Sequence, residues 1–171
     1  MVIEQVTLVL GGARSGKSAY AESLVEAAPG EPVYIATGAA GDPEMAARIA
    51  DHKARRGERW RTVEEPLDLA GALEREAVGG RVVLVDCLTL WLTNVMAAGG
   101  DPAAEESRLV GALAEVGAPV VLVSNEVGLG IVPDNALARA FRDHAGRLNQ
   151  AVTGVADRVV FVAAGLPLTL K

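Results

Sequence analysis

Two short runs in this chain are apolar at every position. They occupy residues 82–85 and 120–123, and both read VVLV. A strand with one solvated face alternates apolar and polar residues, whereas a strand covered on both faces is apolar throughout. The two runs therefore predict central strands of a parallel sheet that lies between two layers of helices.

The rest of the chain alternates between strand-like and helix-like segments. Short β-branched runs predict strands at 6–10, 32–36, 81–86, 119–124, 158–163 and 168–171. Longer segments predict helices at 16–27, 43–56, 67–77, 88–96, 102–116 and 135–155. The sequence Gly165-Leu166-Pro167 predicts a turn into an antiparallel edge strand. The alternation predicts one α/β domain over residues 1–171, with a mostly parallel sheet flanked by helices and an antiparallel C-terminal edge strand.

Charge and composition exclude several classes of protein. The net charge of −6 argues against a general nucleic-acid binder, which needs cationic surface to displace counterions. The single cysteine, Cys87, excludes an internal disulfide and a Cys-rich zinc site. No stretch approaches the roughly 20 apolar residues of a membrane-spanning helix, and the first residues do not have the pattern of a signal peptide. These features predict a cytoplasmic protein.

The first predicted strand leads directly into a glycine-rich loop and a helix. Glycines let backbone N–H groups turn toward phosphate oxygens, and the following helix N-terminus adds a partial positive charge. We expect Lys17 to reach the β- and γ-phosphates and the Ser18 hydroxyl to coordinate Mg²⁺. The loop predicts a P-loop NTPase-like fold that binds a nucleoside triphosphate. Its eight residues match G-x-x-x-x-G-K-[ST], and they are Gly11, Gly12, Ala13, Arg14, Ser15, Gly16, Lys17 and Ser18.

Polar residues follow the two fully apolar strands at the same predicted edge of the sheet. Asp86 ends the first and is the expected carboxylate partner of Ser18 for Mg²⁺, with capping of the next helix as the alternative. Asn125 and Glu126 follow the second strand. Ligands bind at the carboxyl ends of strands in open α/β sheets, so both are candidate site residues. A role in loop structure is an equally good interpretation of both.

The chain offers only two histidines to any mechanism that needs an imidazole, His52 and His144. His52 shares a predicted helical face with Met45 and Ile49, and spacing alone favours a histidine at the edge of an apolar stripe. His144 lies in a different helix beside Arg and Asp, which favours a structural or ion-paired role. The residues after His52 form a basic cluster, which consists of Lys53, Arg55, Arg56 and Arg59. The cluster suits binding of a polyphosphate, and an ordinary solvent-exposed helix face is the alternative.

Longer segments carry a resemblance to a known family. The most specific are Arg-Ile-x-x-His-Lys at 48–53 and Asn-Glu-Val-Gly-x-Gly-Ile-Val-Pro at 125–133. Further matches lie at 11–18, 34–37, 60–64 and 141–150, in the same order along the chain. Together they resemble the adenosylcobinamide kinase/adenosylcobinamide-phosphate guanylyltransferase family, bifunctional enzymes of cobalamin (vitamin B12) biosynthesis.

The resemblance implies two reactions. The first transfers a γ-phosphate from ATP or GTP to adenosylcobinamide, a corrinoid, and the second transfers GMP from GTP to the resulting phosphate. In the family a histidine carries the GMP, and the matching residue is His52, with Lys17 as the other catalytic residue. Asp51 stands where some relatives have a second histidine. The implied nucleotide contacts, besides the eight loop residues, are Ala36, Thr37, Gly38, Lys53, Ala54, Arg55, Arg56, Glu64 and Asp86.

The resemblance also implies a homo-oligomer, with a trimer as the expected form. Adenosylcobinamide is bulky, and a chain of this size leaves little room for a second enclosing domain, so we expect the corrinoid to bind where subunits meet. Two other interpretations remain. One is a simple P-loop small-molecule kinase without nucleotidyl transfer. The other is a GTP-binding switch, although residues 124–127, after the second apolar strand, lack the Asn-Lys-x-Asp that such switches use to recognise guanine.

Overall fold

A computed structural model describes residues 3–38, 57 and 59–171 of the chain. The described residues form a seven-stranded sheet and five helices. The strands are β1 (Val6–Gly11), β2 (Glu31–Ala36), β3 (Arg61–Glu64), β4 (Arg81–Asp86), β5 (Val120–Asn125), β6 (Arg158–Ala163) and β7 (Leu166–Thr169). The helices are α1 (Lys17–Ala27), α2 (Leu69–Glu76), α3 (Leu88–Ala97), α4 (Pro102–Ala114) and α5 (Ala136–Val155).

The strand order in the sheet is β3-β2-β4-β5-β1-β6-β7. Every neighbouring pair is parallel except β6 and β7, which are antiparallel. The chain leaves β1 toward β2 on one side and later returns to β6 on the other, so the strand order reverses beside β1. The predicted fold class is confirmed, including the antiparallel C-terminal edge. A ligand site is expected where the order reverses, at the carboxyl ends of the strands.

Helices cover both faces of the sheet, which explains the two fully apolar runs. Within β5, Val120 and Leu122 pack in one apolar layer, and Val121 and Val123 pack in the opposite layer. Helix α1 covers the second layer, and α2 to α5 cover the first. Since neither face meets water, no position in the run tolerates a polar residue at low cost.

The strand β3 was not predicted from the sequence. Its four residues read RTVE, and only Val63 is both apolar and half-buried. It pairs with β2 alone and forms one edge of the sheet, where short, charged strands are common. The predicted helix 43–56 lies outside the described residues.

The predicted C-terminal turn and strand lie slightly off their observed positions. The turn residues are Ala164 and Gly165, both with positive φ (50° and 80°), as in the two-residue turns that join antiparallel strands. Leu166 and Pro167 therefore already belong to β7, which ends at Thr169 rather than at Lys171. The turn was placed late because Ala164, an alanine with positive φ, carries no turn signal in the sequence.

Helix starts follow their capping residues. Asp68 accepts a hydrogen bond from the Gly71 N–H, so α2 begins at Leu69, two residues later than predicted. Asp101 and Asn135 cap α4 and α5 in the same way. Among the residues that the structure describes, none of the five helices combines the length and the apolar character of a membrane-spanning segment.

Candidate nucleotide-binding site

The glycine-rich loop connects the end of β1 to the start of α1. Arg14 and Gly16 have positive φ, 55° and 94°, and these two residues let the chain curl before the helix begins. Gly16 occupies the N-cap position of α1 and provides no side-chain cap. The backbone N–H groups of the first helical turn are thus left for another acceptor, and an anion is the favoured one at a helix N-terminus.

Lys17 is the first residue of α1, and its buried side chain turns back into this loop. The residue is only 8% exposed, and its Nζ donates a hydrogen bond to the Gly12 carbonyl at 3.0 Å. Burial lowers the pKa of the Lys17 ammonium, and the nearby acidic groups of Cys87 and Asp86 act in the opposite direction. A buried ammonium is costly unless anions compensate it, so the position suits a bound polyphosphate.

The loop is packed closely around two of its glycines, Gly11 and Gly16. A Cβ on Gly11 would lie 2.5 Å from Ser15 Oγ and 2.6 Å from the Val162 carbonyl oxygen. The turn between β6 and β7 supports the loop from outside, because the Gly165 N–H donates to the Ser15 carbonyl at 2.8 Å. A Cβ on Gly16 would lie 3.2 Å from Gly165 Cα.

The Ser15 hydroxyl provides a test of whether phosphate fits. Its Oγ is buried, and none of the described groups forms a hydrogen bond with it. A buried hydroxyl without a partner costs about 1–3 kcal/mol. A phosphate oxygen in the loop would accept this hydrogen bond, so the residues present fit a phosphate group.

Asp86 lies at the end of β4, within electrostatic reach of Lys17. Its carboxylate is half-buried, and Oδ2 accepts a hydrogen bond from the Tyr34 hydroxyl at 3.1 Å. The N-cap residue of α3 is Cys87 rather than Asp86. The capping role considered for Asp86 is therefore not what the structure shows, and the sheet brings this carboxylate toward the phosphate loop.

Oxygen donors at this edge fit Mg²⁺ better than a softer metal. Ser18 is half-buried in the first turn of α1, one residue after Lys17, and Asp86 supplies a carboxylate. The described residues contain no group of three or more His, Cys, Asp or Glu that could hold a metal alone. Mg²⁺ at a triphosphate site needs only one or two protein oxygens, because phosphates and waters complete its shell.

The segment after β2 is tied to the residue that follows Asp86. Thr37 is fully buried, and its Oγ1 both donates to the Cys87 carbonyl and accepts from the Cys87 N–H, each at 2.8 Å. Asn94 Nδ2 donates to the Thr37 carbonyl at 2.7 Å. The Thr37 hydroxyl is thus occupied by Cys87. Sequence reasoning missed the roles of Cys87 and Asn94, because the pairing residues are 50 and 57 positions from Thr37.

Asn125 and Glu126 connect the end of β5 to its neighbours. Asn125 pairs in register with Gly11, and its Nδ2 donates to Thr89 Oγ1 at 2.7 Å. The Glu126 N–H donates to the Gly11 carbonyl at 3.1 Å, and its carboxylate accepts from the Gly128 N–H. Both residues therefore have a structural role in the loop after β5. Their direct participation in binding stays a prediction.

The remaining predicted site residues fall into two groups. Ala36 ends β2, Gly38 follows Thr37, and Glu64 is exposed at the end of β3, in register with Ala36. His144 is half-buried on α5, on the sheet face opposite α1. The other predictions lie outside the described residues, and they concern Asp51, His52, Lys53, Ala54, Arg55 and Arg56.

The fold and the loop together define a P-loop nucleotide-binding protein. Two solved structures share the fold. One is a protein of Pyrococcus horikoshii OT3, with a TM-score of 0.62 and 8% identity. The match covers 100% of this chain and 88% of the Pyrococcus chain. The other is a prototypical ATPase of a bacterial type III secretion system, with a TM-score of 0.57 and 12% identity. The match covers 98% of this chain and 57% of the ATPase chain.

The chain belongs to the cobinamide kinase / cobinamide phosphate guanyltransferase family, whose sequence profile matches residues 7–170. It is 52% identical over 167 residues to the bifunctional adenosylcobalamin biosynthesis protein CobP of Pseudomonas aeruginosa, with 96% of each chain covered. It is 44% identical over 179 aligned residues to the bifunctional adenosylcobalamin biosynthesis protein CobU of Salmonella typhimurium, covering 96% of this chain and 98% of the relative. The family resemblance read from the sequence is confirmed.

The packing of the loop predicts different effects of two neighbouring glycine substitutions. Gly11→Ala should destabilise the fold by about 1–3 kcal/mol, since its Cβ meets a backbone carbonyl that cannot easily move. Gly12→Ala is the matched control, because a Cβ there meets nothing within 4 Å. Thermal unfolding of both variants without nucleotide measures the difference. Equal midpoints for the two variants would contradict the described packing.

Proposed function

We propose that this protein phosphorylates adenosylcobinamide with ATP or GTP. It then transfers GMP from GTP to adenosylcobinamide phosphate, which yields adenosylcobinamide-GDP and pyrophosphate. The observation that carries the proposal is the buried Lys17 within a closed glycine-rich loop, beside the Asp86 carboxylate, in a chain of this family. The single cysteine, which is buried and free, suits a reducing compartment, and we place the activity in the cytoplasm.

The phosphate loop serves both reactions in this proposal. Backbone N–H groups of residues 11–18 and the Lys17 ammonium hold the triphosphate, and Ser18 and Asp86 hold Mg²⁺. Mg²⁺ bound there would neutralise charge that develops on the phosphate oxygens. The remaining proposed nucleotide contacts come from the neighbouring strand ends and from the basic segment after His52: Ala36, Thr37, Gly38, Glu64, Lys53, Ala54, Arg55 and Arg56. The Thr37 hydroxyl is bonded to Cys87, and its N–H donates to the Asp86 carbonyl. We therefore expect Thr37 to contact the nucleotide without donating a hydrogen bond to it.

Guanylyl transfer needs a nucleophile, and we propose His52. A neutral imidazole nitrogen attacks the α-phosphorus of GTP, and the bond to the bridging oxygen breaks as pyrophosphate leaves. An oxygen of adenosylcobinamide phosphate then attacks the same phosphorus and releases the imidazole. Lys17 stabilises the leaving pyrophosphate, and Arg55 and Arg56 pair with the oxygens of the transferred group.

An exposed apolar segment near the site supports a homo-oligomer. Between β5 and the first turn of α5, Ile131 is 98% exposed and Leu129 is 84% exposed. Clusters of this kind mark interaction surfaces. We propose that the chain forms a trimer through this segment and that the corrinoid binds where subunits meet. The exposed apolar residues of the segment are Val127, Leu129, Ile131, Val132 and Leu137.

The oligomer proposal predicts a mass above that of one chain. Sedimentation equilibrium at micromolar concentration should return a multiple of 17.7 kDa, and three chains are expected. Ile131→Asp should shift the distribution toward the monomer, because it puts a charge into an apolar contact. A fully active monomeric wild type would refute the proposal.

Replacing Lys17 should impair both reactions. Lys17→Ala removes the charge that neutralises the triphosphate, and loss of one such contact typically lowers the rate by a factor on the order of 10²–10³. Lys171→Ala serves as a control for the loss of one positive charge at the far end of the chain. Both steady-state rates are measured at saturating nucleotide. Near-native rates in a folded Lys17→Ala variant would show that the phosphate-loop assignment is wrong.

Replacing His52 should separate the two activities. His52→Ala should abolish covalent GMP attachment and guanylyl transfer, whereas phosphorylation of adenosylcobinamide, which requires no protein adduct, should persist in part. Wild type, His52→Ala and the control His144→Ala are incubated with α-labelled GTP and denatured, and the label that remains on the protein is counted.

The stability of the label identifies the bond. A phosphoramidate on imidazole should be labile in acid and survive mild base. Undiminished label on His52→Ala, or label that withstands acid, would exclude His52 as the carrier. Loss of label only in His144→Ala would assign the nucleophile to His144. A wild type that phosphorylates adenosylcobinamide but never retains label would favour the simple kinase.

A further inference from the structure

A tyrosine buried in the sheet contacts the proposed metal carboxylate. Tyr34 lies on β2, next to β4, and only 6% of its surface is exposed. Its hydroxyl donates to Oδ2 of Asp86 at 3.1 Å. The contact joins the middle of one strand to the end of its neighbour, since Ala36, two residues after Tyr34, is the register partner of Asp86.

The phenol ring is itself held in place. Trp60 packs edge-to-face against it, with the ring centroids 6.4 Å apart and the ring planes at 78°. Both rings belong to the apolar layer that α1 covers, together with Leu84 and Cys87. Edge-to-face aromatic pairs of this geometry are favourable, and close packing on all sides leaves the ring few alternative rotamers. The direction of the Tyr34 O–H group is therefore fixed by the sheet.

We propose that Tyr34 is a positioning residue for Asp86, a role that rests on the proposed binding of Mg²⁺ by this carboxylate. The phenol holds Oδ2 and would thereby fix the orientation of the carboxylate that is proposed to hold Mg²⁺. A neutral donor suits this task, because it fixes the carboxylate and leaves its negative charge for the metal. Hydrogen bonds to metal-binding carboxylates generally act this way, and their loss weakens metal binding by about 10–100-fold.

Tyr34→Phe tests the positioning role, because it removes only the hydroxyl group that donates to Asp86. Mn²⁺ takes the place of Mg²⁺ because its unbound form gives an electron paramagnetic resonance signal. The protein is mixed with α,β-methylene-GTP and Mn²⁺, and the loss of the free-ion signal measures the Mn²⁺ that is bound. We expect affinity for Mn²⁺ to fall by about 10-fold or more. Binding of the nucleotide in excess EDTA should stay unchanged, because the proposed role of the phenol is to orient the carboxylate that holds the metal. Tyr20→Phe is the matched control, since the Tyr20 hydroxyl accepts from Arg158 Nη2 at 3.2 Å.

A third variant separates this inference from the proposed function. Asp86→Asn should lose Mn²⁺ affinity at least as strongly as Tyr34→Phe. If Asp86→Asn binds Mn²⁺ like wild type, the proposed metal role of Asp86 fails and the role of Tyr34 falls with it. If Asp86→Asn loses affinity while Tyr34→Phe does not, only the positioning role is overturned. Equal weakening of metal binding and of nucleotide binding in EDTA by Tyr34→Phe would indicate a packing role and would also overturn it.

Discussion

The burial of one ammonium group constrains most of the site. Lys17 lies inside its loop, where loss of water lowers its pKa, and the Gly12 carbonyl and the nearby Asp86 carboxylate offset part of that cost. Full compensation requires an anion, which a triphosphate provides. The loop must therefore close around the lysine, and it does so because Gly11 leaves room for Ser15 and because Gly16 adopts a positive φ.

The rest of the sheet holds this loop and its partners in fixed positions. The turn after β6 supports the loop through Ser15, and the residue after β5 is bonded to Gly11. On the other side, Thr37 and Tyr34 connect β2 to the end of β4. These hydrogen bonds hold together the ends of five neighbouring strands, β2, β4, β5, β1 and β6. Transfer of a phosphoryl group depends on position and charge more than on covalent chemistry by the protein, so this rigidity is what the kinase reaction requires.

The sequence predicted what is encoded locally and missed what depends on distant contacts. Residues 82–85 and 120–123 were placed in central strands because burial on two faces leaves an apolar run. The phosphate loop was predicted from the spacing of its residues, and Asp86 was predicted as a metal ligand because it ends a core strand; both roles in binding stay predictions. The strand β3 was missed because four polar-rich residues at an edge have no periodicity, and Asn94 was missed because its partner is 57 residues away. The role of His52 remains a prediction that rests on the family resemblance.

The most direct test of the account is the product distribution of the purified protein. Wild-type protein is incubated with adenosylcobinamide, GTP and Mg²⁺. Samples are taken over time, and the corrinoids are separated and identified by mass spectrometry. The account predicts that adenosylcobinamide phosphate appears first and is converted to adenosylcobinamide-GDP, with one pyrophosphate released for each GDP product. Recovery of unchanged adenosylcobinamide, or of a phosphate that is never converted, would contradict the assignment of both reactions to this site.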